Sequence, residues 1–244
     1  MYSFDSRVRF SELGEDGKMT LCAMINYLQD RSTFQSEAIG KGIRYLKEQG
    51  SAWILNSWQI EVDRYPEINE NITISTWSYG YKSMYGYRNF SITDAAGNDV
   101  LRANSVWVLY DLNKKRPRKV VEEDLRGYEA GERLDMGYSD RKLRMPESRE
   151  KHAAFPVRRY QIDTNGHMNN GQYVRVAQEC IPEDFEVLRL SVEYRKSAVY
   201  GDVLYPETAR TEQGYAVSLN DKEGKVFAIV MFSGNSGQEE VPEL

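Results

Sequence analysis

Asn165-Gly166-His167-Met168 leads into the amphipathic stretch NGQYVRVAQE, residues 170–179, and this segment has a counterpart earlier in the chain. Asp16-Gly17-Lys18-Met19 leads into LCAMINYLQD, residues 21–30, at the same spacing. Laid together without a gap, the two segments share a glycine, a methionine and a glutamine, at Gly17/Gly166, Met19/Met168 and Gln29/Gln178. The match predicts that one turn followed by one helix occurs twice.

Two further ungapped matches follow in the same order in both halves. Residues 58–72, WQIEVDRYPEINENI, lie over residues 190–204, LSVEYRKSAVYGDVL. Residues 90–97, FSITDAAG, lie over residues 217–224, VSLNDKEG. The shared order indicates a duplicated domain of roughly 100–130 residues, which is an ordinary domain size.

The two copies differ where reactive side chains would lie. On the register of the first match, Asp163 faces Gly14 and His167 faces Lys18. A fold that needed Asp163 and His167 for packing would tend to keep them in both copies. We therefore interpret the second half as catalytic and the first half as a degenerate partner.

Composition limits the class of protein. The chain has 244 residues and a formal net charge of -5, which argues against general nucleic-acid binding because that function needs a basic surface. The sequence contains no apolar run of about 18 residues, so no membrane span is expected, and the N-terminus has no apolar signal region. The two cysteines, Cys22 and Cys180, fall in predicted helices. They do not form a disulfide framework and favour a reducing, cytoplasmic location.

Hydrophobic periodicity and turn residues predict a similar series of elements in each half. In the first half we expect helices at residues 19–39 and 43–49, strands at 53–63, 71–79, 85–93 and 101–111, and a hairpin turn at 94–97. In the second half we expect a strand at 154–161, a helix at 169–180, and strands at 188–196, 203–212, 216–220 and 226–233. A helix followed by several antiparallel strands predicts an α+β domain whose sheet wraps around the helix.

A polar connection separates the two halves. Residues 112–151 are dense in charge and have little apolar periodicity, which is typical of a segment between domains. We accordingly predict an N-terminal domain at 1–125, a linker at 126–151 and a C-terminal domain at 152–244. The last eight residues, GQEEVPEL, are expected to be frayed.

Asp163, Asn165 and His167 alternate in a tight segment that opens onto the second predicted helix. Asparagines precede this helix as good caps, so its first free amides are expected near Gly171, where they favour developing negative charge. A carboxylate, an amide, an imidazole and an oxyanion site are the minimum set for hydrolysing an activated acyl compound. The alternative is that the motif is only an Asx turn and a helix cap, with His167 in solvent.

Five segments resemble one known family when they are taken together. They are IDTNGHMNNGQYV (162–174), INYLQDRSTFQSEAIGKGI (25–43), WQIEVDRYP (58–66), SVWVLYDLNKKRP (105–117) and LSVEYRKSA (190–198). The chain resembles the acyl-acyl-carrier-protein thioesterases of the double hotdog type, which include plant plastid enzymes and shorter bacterial relatives. The resemblance implies a tandem hotdog, with each long helix wrapped by an antiparallel sheet. It also implies an acyl-chain cavity mainly in the first domain and catalysis in the second.

The same resemblance implies catalytic roles for Asp163, Asn165 and His167. The aspartate and histidine polarise or position the attacking water, and the asparagine helps to orient it. The plant enzymes also have a Glu-Cys pair after the matching motif, where this chain carries Ser197 and Ala198 in EYRKSA. This departure excludes a cysteine nucleophile there and removes one candidate carboxylate. Ser197 is left as a candidate to bind the substrate or hold a water, against the plainer interpretation of a strand residue.

The primary hypothesis is hydrolysis of fatty acyl thioesters on acyl carrier protein, giving free fatty acid and holo-carrier. The alternatives are a coenzyme A thioesterase, a hotdog dehydratase or hydratase acting on β-hydroxyacyl thioesters, and a non-catalytic acyl-thioester sensor. The basic run Lys114–Lys119 is a candidate to dock the acidic carrier, or else a solvated linker. No cofactor or catalytic metal is expected, because nucleotide motifs are absent and only two histidines occur. A two-fold homodimer is left open.

Overall fold

The computed structural model describes residues 1–236. Residues 237–244, the tail that is expected to be frayed, lie outside the described residues. The chain divides into two compact units, of which unit 1 is Met1–Arg141 and unit 2 begins at Lys142. Both units combine helices with antiparallel strands, so the predicted α+β class is confirmed. The domain boundaries drawn from the sequence stay a prediction.

Unit 1 is an antiparallel sheet with one long helix. Its strands are β1 (Tyr2–Arg7), β2 (Ser51–Val62), β3 (Asn71–Lys82), β4 (Tyr85–Asp94), β5 (Asp99–Asp111) and β6 (Arg116–Pro117). Its helices are α1 (Leu21–Ala38), α2 (Ile43–Glu48) and α3 (Glu122–Leu125), with a 3-10 turn at Phe10–Glu12. The strands pair in the order β1-β3-β4-β5-β2, and β6 pairs with β5. The two helices and four strands predicted for this half are confirmed within a few residues.

The sequence of α1 explains where the helix begins and which face it buries. The Thr20 hydroxyl accepts a hydrogen bond from the Ala23 amide at 3.2 Å and so caps the first turn. Apolar side chains then recur at helical spacing and are buried, including Met24 and Leu28. The sheet also buries large apolar side chains, such as Trp58, which packs against Phe90. No helix within the described 236 residues is long and apolar enough to cross a membrane.

Unit 2 repeats this arrangement with a shorter helix. Its elements are β7 (Glu150–Lys151), β8 (Phe155–Pro156), α4 (Asn170–Gln178), β9 (Phe185–Tyr194), β10 (Val203–Thr211), β11 (Gly214–Asn220) and β12 (Val226–Ser236). The strands pair in the order β9-β12-β11-β10-β7, and β8 also pairs with β10. Read from β2 in unit 1 and from β9 in unit 2, the main strands of the two units pair in the same order.

One strand prediction in unit 2 is wrong. The sequence predicts a strand over residues 154–161, but only Phe155–Pro156 pair as a strand, and Arg159–Gln161 form a 3-10 turn. The Gln161 amide donates to the Arg158 carbonyl at 3.1 Å, and the Arg158 amide donates back to the side-chain oxygen of Gln161 at 2.8 Å. The corresponding turn of unit 1, Phe10–Glu12, closes in the same way.

Backbone hydrogen bonds confirm the duplication at matched positions. The Met19 amide donates to the Pro66 carbonyl at 2.7 Å, and the Met168 amide donates to the Ala198 carbonyl at 2.8 Å. Each bond joins a residue of the first sequence match to one of the second match. The same hydrogen bond therefore joins corresponding positions of the two sequence matches in each unit.

Residues 129–139 lie against the sheet of unit 1. The Trp77 indole N–H donates to the Glu132 carbonyl at 2.6 Å, and the Leu134 amide donates to Asn89 Oδ1 at 3.0 Å. These bonds hold a polar, aperiodic stretch of chain in place by its backbone. Hydrophobic periodicity in the sequence does not predict such an attachment, because the segment is held by hydrogen bonds and not by an apolar face.

Candidate active site

The candidate site is a short loop between the 3-10 turn of unit 2 and helix α4. An antiparallel bridge between Ile162 and Met168 closes the loop at its base. Inside it, the Asp163 amide donates to the His167 carbonyl at 2.7 Å, and the Gly166 amide donates to the Asp163 carbonyl at 3.0 Å. Gly166 has a φ of 79°, a conformation that favours glycine. The Asn-Gly turn in the sequence thus sets the path of the loop.

The Asp163 carboxylate organises this loop from within. Its Oδ1 accepts hydrogen bonds from the Asn165 amide at 2.8 Å and the His167 amide at 3.3 Å. Asp163 is half-buried, whereas Asn165 and His167 are exposed. The Asp163 carboxylate thus binds the backbone amides of the other two predicted catalytic residues, whose side chains reach solvent.

The equivalent loop of unit 1 forms without these side chains. The Gly14 amide donates to the Lys18 carbonyl at 2.8 Å, and the Gly17 amide donates to the Gly14 carbonyl at 3.1 Å. Here the capping carboxylate comes from a different position, since Asp16 Oδ1 accepts from the Lys18 amide at 3.0 Å. The loop shape alone therefore requires neither an aspartate at position 163 nor a histidine at position 167.

Gly171 lies at the start of α4, but its amide is engaged. Asn169 caps the helix, and its Oδ1 accepts from the Gly171 amide at 2.9 Å. The amide of Gln172 donates to the Asn169 carbonyl at 2.9 Å. This corrects the expectation that these amides are free to receive an oxyanion, because the cap folds back over the first turn.

The loop that carries Ser197 lies against the candidate site. The bond from the Met168 amide to the Ala198 carbonyl joins it to the residue after His167. The Ala198 amide donates in turn to the Tyr173 hydroxyl of α4 at 2.8 Å. Ser197 itself is exposed, while Ala198 is fully buried. The structure thus places Ser197 in a loop that is bonded to the site loop and to its helix.

Tyr173 bonds to the loop next to the candidate site, and no motif in the sequence marks it as a site residue. Burial, with the negative charges of Asp202 and Asp163, raises the pKa of Tyr173 to about 12. The counterpart of Tyr173 on the repeat register is Met24, so the asymmetry that marks Asp163 also marks this tyrosine.

The basic run proposed for docking lies at the turn after β5. Lys115, Arg116 and Lys119 are exposed. Arg118 instead donates to both oxygens of Asp124, at 2.6 and 2.7 Å, so it stabilises unit 1 internally. Only part of the run is therefore available to a partner. Within residues 1–236, no group of three or more His, Cys, Asp or Glu side chains is arranged to hold a metal ion.

Comparison with known families gives the same two-part division as the structure. Residues 1–128 match the model of the acyl-ACP thioesterase N-terminal domain, and residues 145–234 match that of the C-terminal domain. The chain belongs to the acyl-ACP thioesterase family. The family's two domain models fall on the two copies identified in the sequence, so the resemblance drawn from its motifs is confirmed.

Named relatives agree with this assignment. A chloroplastic palmitoyl-acyl carrier protein thioesterase of Gossypium hirsutum is 23% identical over 238 residues, which cover 90% of this chain and 57% of the relative. The chain thus spans just over half the length of that curated relative.

Two solved structures show the fold. An acyl-ACP thioesterase from Bacteroides thetaiotaomicron superposes with a TM-score of 0.85 at 21% identity, covering 96% of this chain and 97% of that one. A protein assigned as an oleoyl thioesterase from Lactobacillus plantarum gives 0.87 at 22% identity, covering 98% and 97%. The predicted tandem hotdog is therefore confirmed.

Proposed function

We propose that this chain hydrolyses fatty acyl thioesters carried on acyl carrier protein, releasing free fatty acid and holo-carrier. Membership of the acyl-ACP thioesterase family supports the reaction class. The observation that carries the site is the contrast between the two loops. Both loops have the same backbone bonds, but only the loop of unit 2 contains Asp163 and His167.

In the proposed reaction, Asp163 and His167 position a water and take its proton as its oxygen attacks the thioester carbonyl. Asn165 orients the water or the carbonyl. The tetrahedral intermediate then collapses, the C–S bond breaks, and the proton passes to the departing sulfur. General base assistance of this kind contributes about 10²–10⁴ in rate. Because two backbone amides already fix the Asp163 carboxylate, little reorganisation is needed as charge develops.

Ser197 is proposed as a contact for the water or the thioester. Its loop is bonded to the residue that follows His167, and its hydroxyl can donate and accept. Gly171 is not assigned as an oxyanion donor, because the Asn169 side chain occupies its amide. The glycine is proposed instead to keep the entry to α4 free of a side chain where the substrate approaches.

The remaining parts of the proposal concern partner and setting. The acidic carrier docks through exposed cations, with Lys115, Arg116 and Lys119 as candidates. We propose an N-terminal domain at 1–125, a linker at 126–151 and a C-terminal domain at 152–244. The protein is proposed to act in the cytoplasm, and assembly into a homodimer would be compatible with the reaction.

A substrate panel tests the proposed function. Thiol release is measured from palmitoyl-, lauroyl- and octanoyl-acyl carrier protein and from the matching coenzyme A esters. Rapid release from the carrier substrates is expected. Release from the coenzyme A esters alone would show that the acyl group is carried on coenzyme A instead of acyl carrier protein. Formation of an enoyl product without thiol would favour a dehydratase, and binding without turnover would favour a sensor.

A further inference from the structure

Unit 1 buries two arginines that have no acidic partner. Arg31 of α1 is 1% exposed and Arg88 of β4 is 8% exposed. Within residues 1–236, neither guanidinium lies within ion-pair distance of a carboxylate. Buried guanidinium groups are normally paired, because removing a charge from water without compensation is strongly unfavourable.

Both side chains converge on one corner between α1 and the sheet. Arg31 Nε donates to the Tyr2 carbonyl at 3.0 Å, and Arg88 Nη1 donates to Thr76 Oγ1 at 3.2 Å. Tyr2 and Thr76 are direct partners in the pairing of β1 with β3. Arg88 also donates to Gln35, one helical turn after Arg31. Two positive charges are therefore held side by side in the interior.

The surroundings compensate these charges only in part. The Arg31 guanidinium lies 3.5 Å from the ring centroid of Tyr2 and 5.2 Å from that of Phe4, and the Arg88 guanidinium lies 5.5 Å from that of Tyr128. Ring faces attract cations but carry no net charge. Burial lowers the pKa of both arginines, and the charge of Arg88 lowers that of Arg31 further.

One donor in this corner is left without an acceptor. Arg31 Nη2 is buried and has no hydrogen-bond partner. A buried donor of a charged group that lacks an acceptor is among the least favourable groups in a protein interior. A bound anion would both accept a hydrogen bond from this donor and offset the two adjacent positive charges.

The interior around α1 changes character along the helix. Its earlier turns bury apolar side chains, including Met24, Ile25 and Leu28. Its later turns bury Arg31, Ser32 and Gln35. An aliphatic chain that ends in a carboxylate has the same sequence of properties.

We propose that the interior of unit 1 binds the terminal carboxylate of an aliphatic chain, held by Arg31 and Arg88. A guanidinium matches a carboxylate in geometry as well as in charge. That the ligand is aliphatic rests on the proposed function, because the proposed substrates carry fatty acyl chains. Two sources share the chemistry: a free fatty acid, or an acyl group that carries a second carboxylate at its far end.

Calorimetric titration tests the site with ligands that are not turned over. Decanoate and decan-1-ol are titrated into wild type, Arg31→Met and the control Arg44→Met, whose side chain is 92% exposed. Wild type and Arg44→Met are expected to bind the acid about tenfold or more tightly than the alcohol, since a charge-assisted bond is lost with the alcohol. Arg31→Met is expected to bind the two ligands equally.

Equal affinity of wild type for acid and alcohol would overturn the proposal, and so would a preference for the acid that survives in Arg31→Met. Arg31→Met is expected to melt at or above the wild-type temperature, because it removes an uncompensated buried charge. If Arg31→Met fails to fold, Arg88→Met takes its place, with the same expected loss of the preference for the acid. Binding needs no turnover, so this result is independent of the proposed hydrolysis.

A turnover experiment separates the two sources. The monothioester of decanedioic acid is compared with the decanoyl thioester, both on acyl carrier protein. If kcat/KM is higher for the diacid thioester in wild type, and Arg31→Met abolishes this advantage, the bound carboxylate belongs to the acyl group of the substrate. Equal kcat/KM, with tighter binding of free decanoate, identifies the free fatty acid.

Discussion

Asp163 combines a structural and a proposed chemical role in one carboxylate. Its Oδ1 accepts two backbone N–H bonds that set the loop. Catalytic groups act best when their orientation is fixed before the reaction. The same bonds that close the turn can therefore prepare the carboxylate for catalysis. This overlap explains why an Asx turn and an active site are hard to tell apart from spacing alone.

Tyr173 connects α4 to the Ser197 loop, and its removal should weaken the fold. Tyr173→Phe deletes the acceptor of the buried Ala198 amide. Leaving a buried donor unsatisfied costs about 1–3 kcal/mol, so the free energy of unfolding should fall by that amount. Urea denaturation measures it. The half-exposed Tyr205 gives the control Tyr205→Phe, which should change stability by less than about 0.5 kcal/mol. Equal losses in the two variants would contradict the proposed link.

The pKa of the same tyrosine predicts behaviour at high pH. In the folded protein it is about 12, against an ordinary value of 10.0. As the pH rises, the tyrosine of the unfolded chain loses its proton first. The contribution of protonated Tyr173 to the free energy of unfolding is therefore complete below pH 10 and is lost as the pH rises towards 12. The stability deficit of Tyr173→Phe should therefore shrink between pH 10 and pH 12. Urea midpoints across that range measure it, and a constant deficit would contradict the prediction.

At the scale of elements, the two units use one loop-and-helix design with different side chains. The caps of α1 and α4 are Thr20 and Asn169, at matching positions of the repeat. Both satisfy an amide in the first turn that would otherwise lack a partner. The design therefore separates what the fold needs from what the proposed chemistry needs.

Removing each cap tests this separation. Thr20→Ala and Asn169→Ala should each lower the free energy of unfolding by about 1 kcal/mol, because each deletes one capping bond. Only Asn169→Ala should also lower kcat, on the order of tenfold or more, since small displacements of catalytic groups are costly. Urea denaturation and thiol release measure the two effects. Equal kcat values for the two variants would contradict the assignment of the site to unit 2.

Acid stability depends on the whole chain, because the same hairpin turn occurs in both units, with Asp94 in the first and Asp221 in the second. Hydrogen bonds from the Asn98 side chain and backbone, with the nearby Arg64, lower the pKa of Asp94 to about 2. A depressed carboxyl pKa stabilises the fold above the ordinary value of 3.8, and that stabilisation is lost as the pH falls towards 2. The bonds to Lys196 and Lys225 lower the pKa of Asp221 in the same direction.

Asp94→Asn should therefore be less stable than wild type near neutral pH, and the difference should shrink as the pH falls from 4 to 2. The Asn side chain keeps one oxygen acceptor but loses the charge that attracts Arg64. Melting temperatures across this range measure the effect. A difference that stays constant with pH would show that the charge of Asp94 contributes nothing.

Sequence alone gives the architecture of this molecule because apolar periodicity and the repeat are local signals. They place α1 and the major strands and identify the loop at Asp163. They miss the turn at Arg159–Gln161, which a bond from the Arg158 amide to the Gln161 side chain helps to hold. They also miss the bond between Tyr173 and Ala198, which joins residues 25 positions apart. Contacts of this kind depend on tertiary packing and leave no period in the sequence.

The most direct test of the central claim compares thiol release by wild type, Asp163→Asn and Asp16→Asn with lauroyl-acyl carrier protein. Either substitution keeps an oxygen that can accept the turn bonds, so both variants should fold like wild type. We predict that Asp163→Asn lowers kcat by about 10²–10⁴, because it removes the charge that assists the water, and that Asp16→Asn leaves kcat unchanged. Wild-type kcat in Asp163→Asn, or equal losses in both variants, would contradict catalysis by the loop of unit 2.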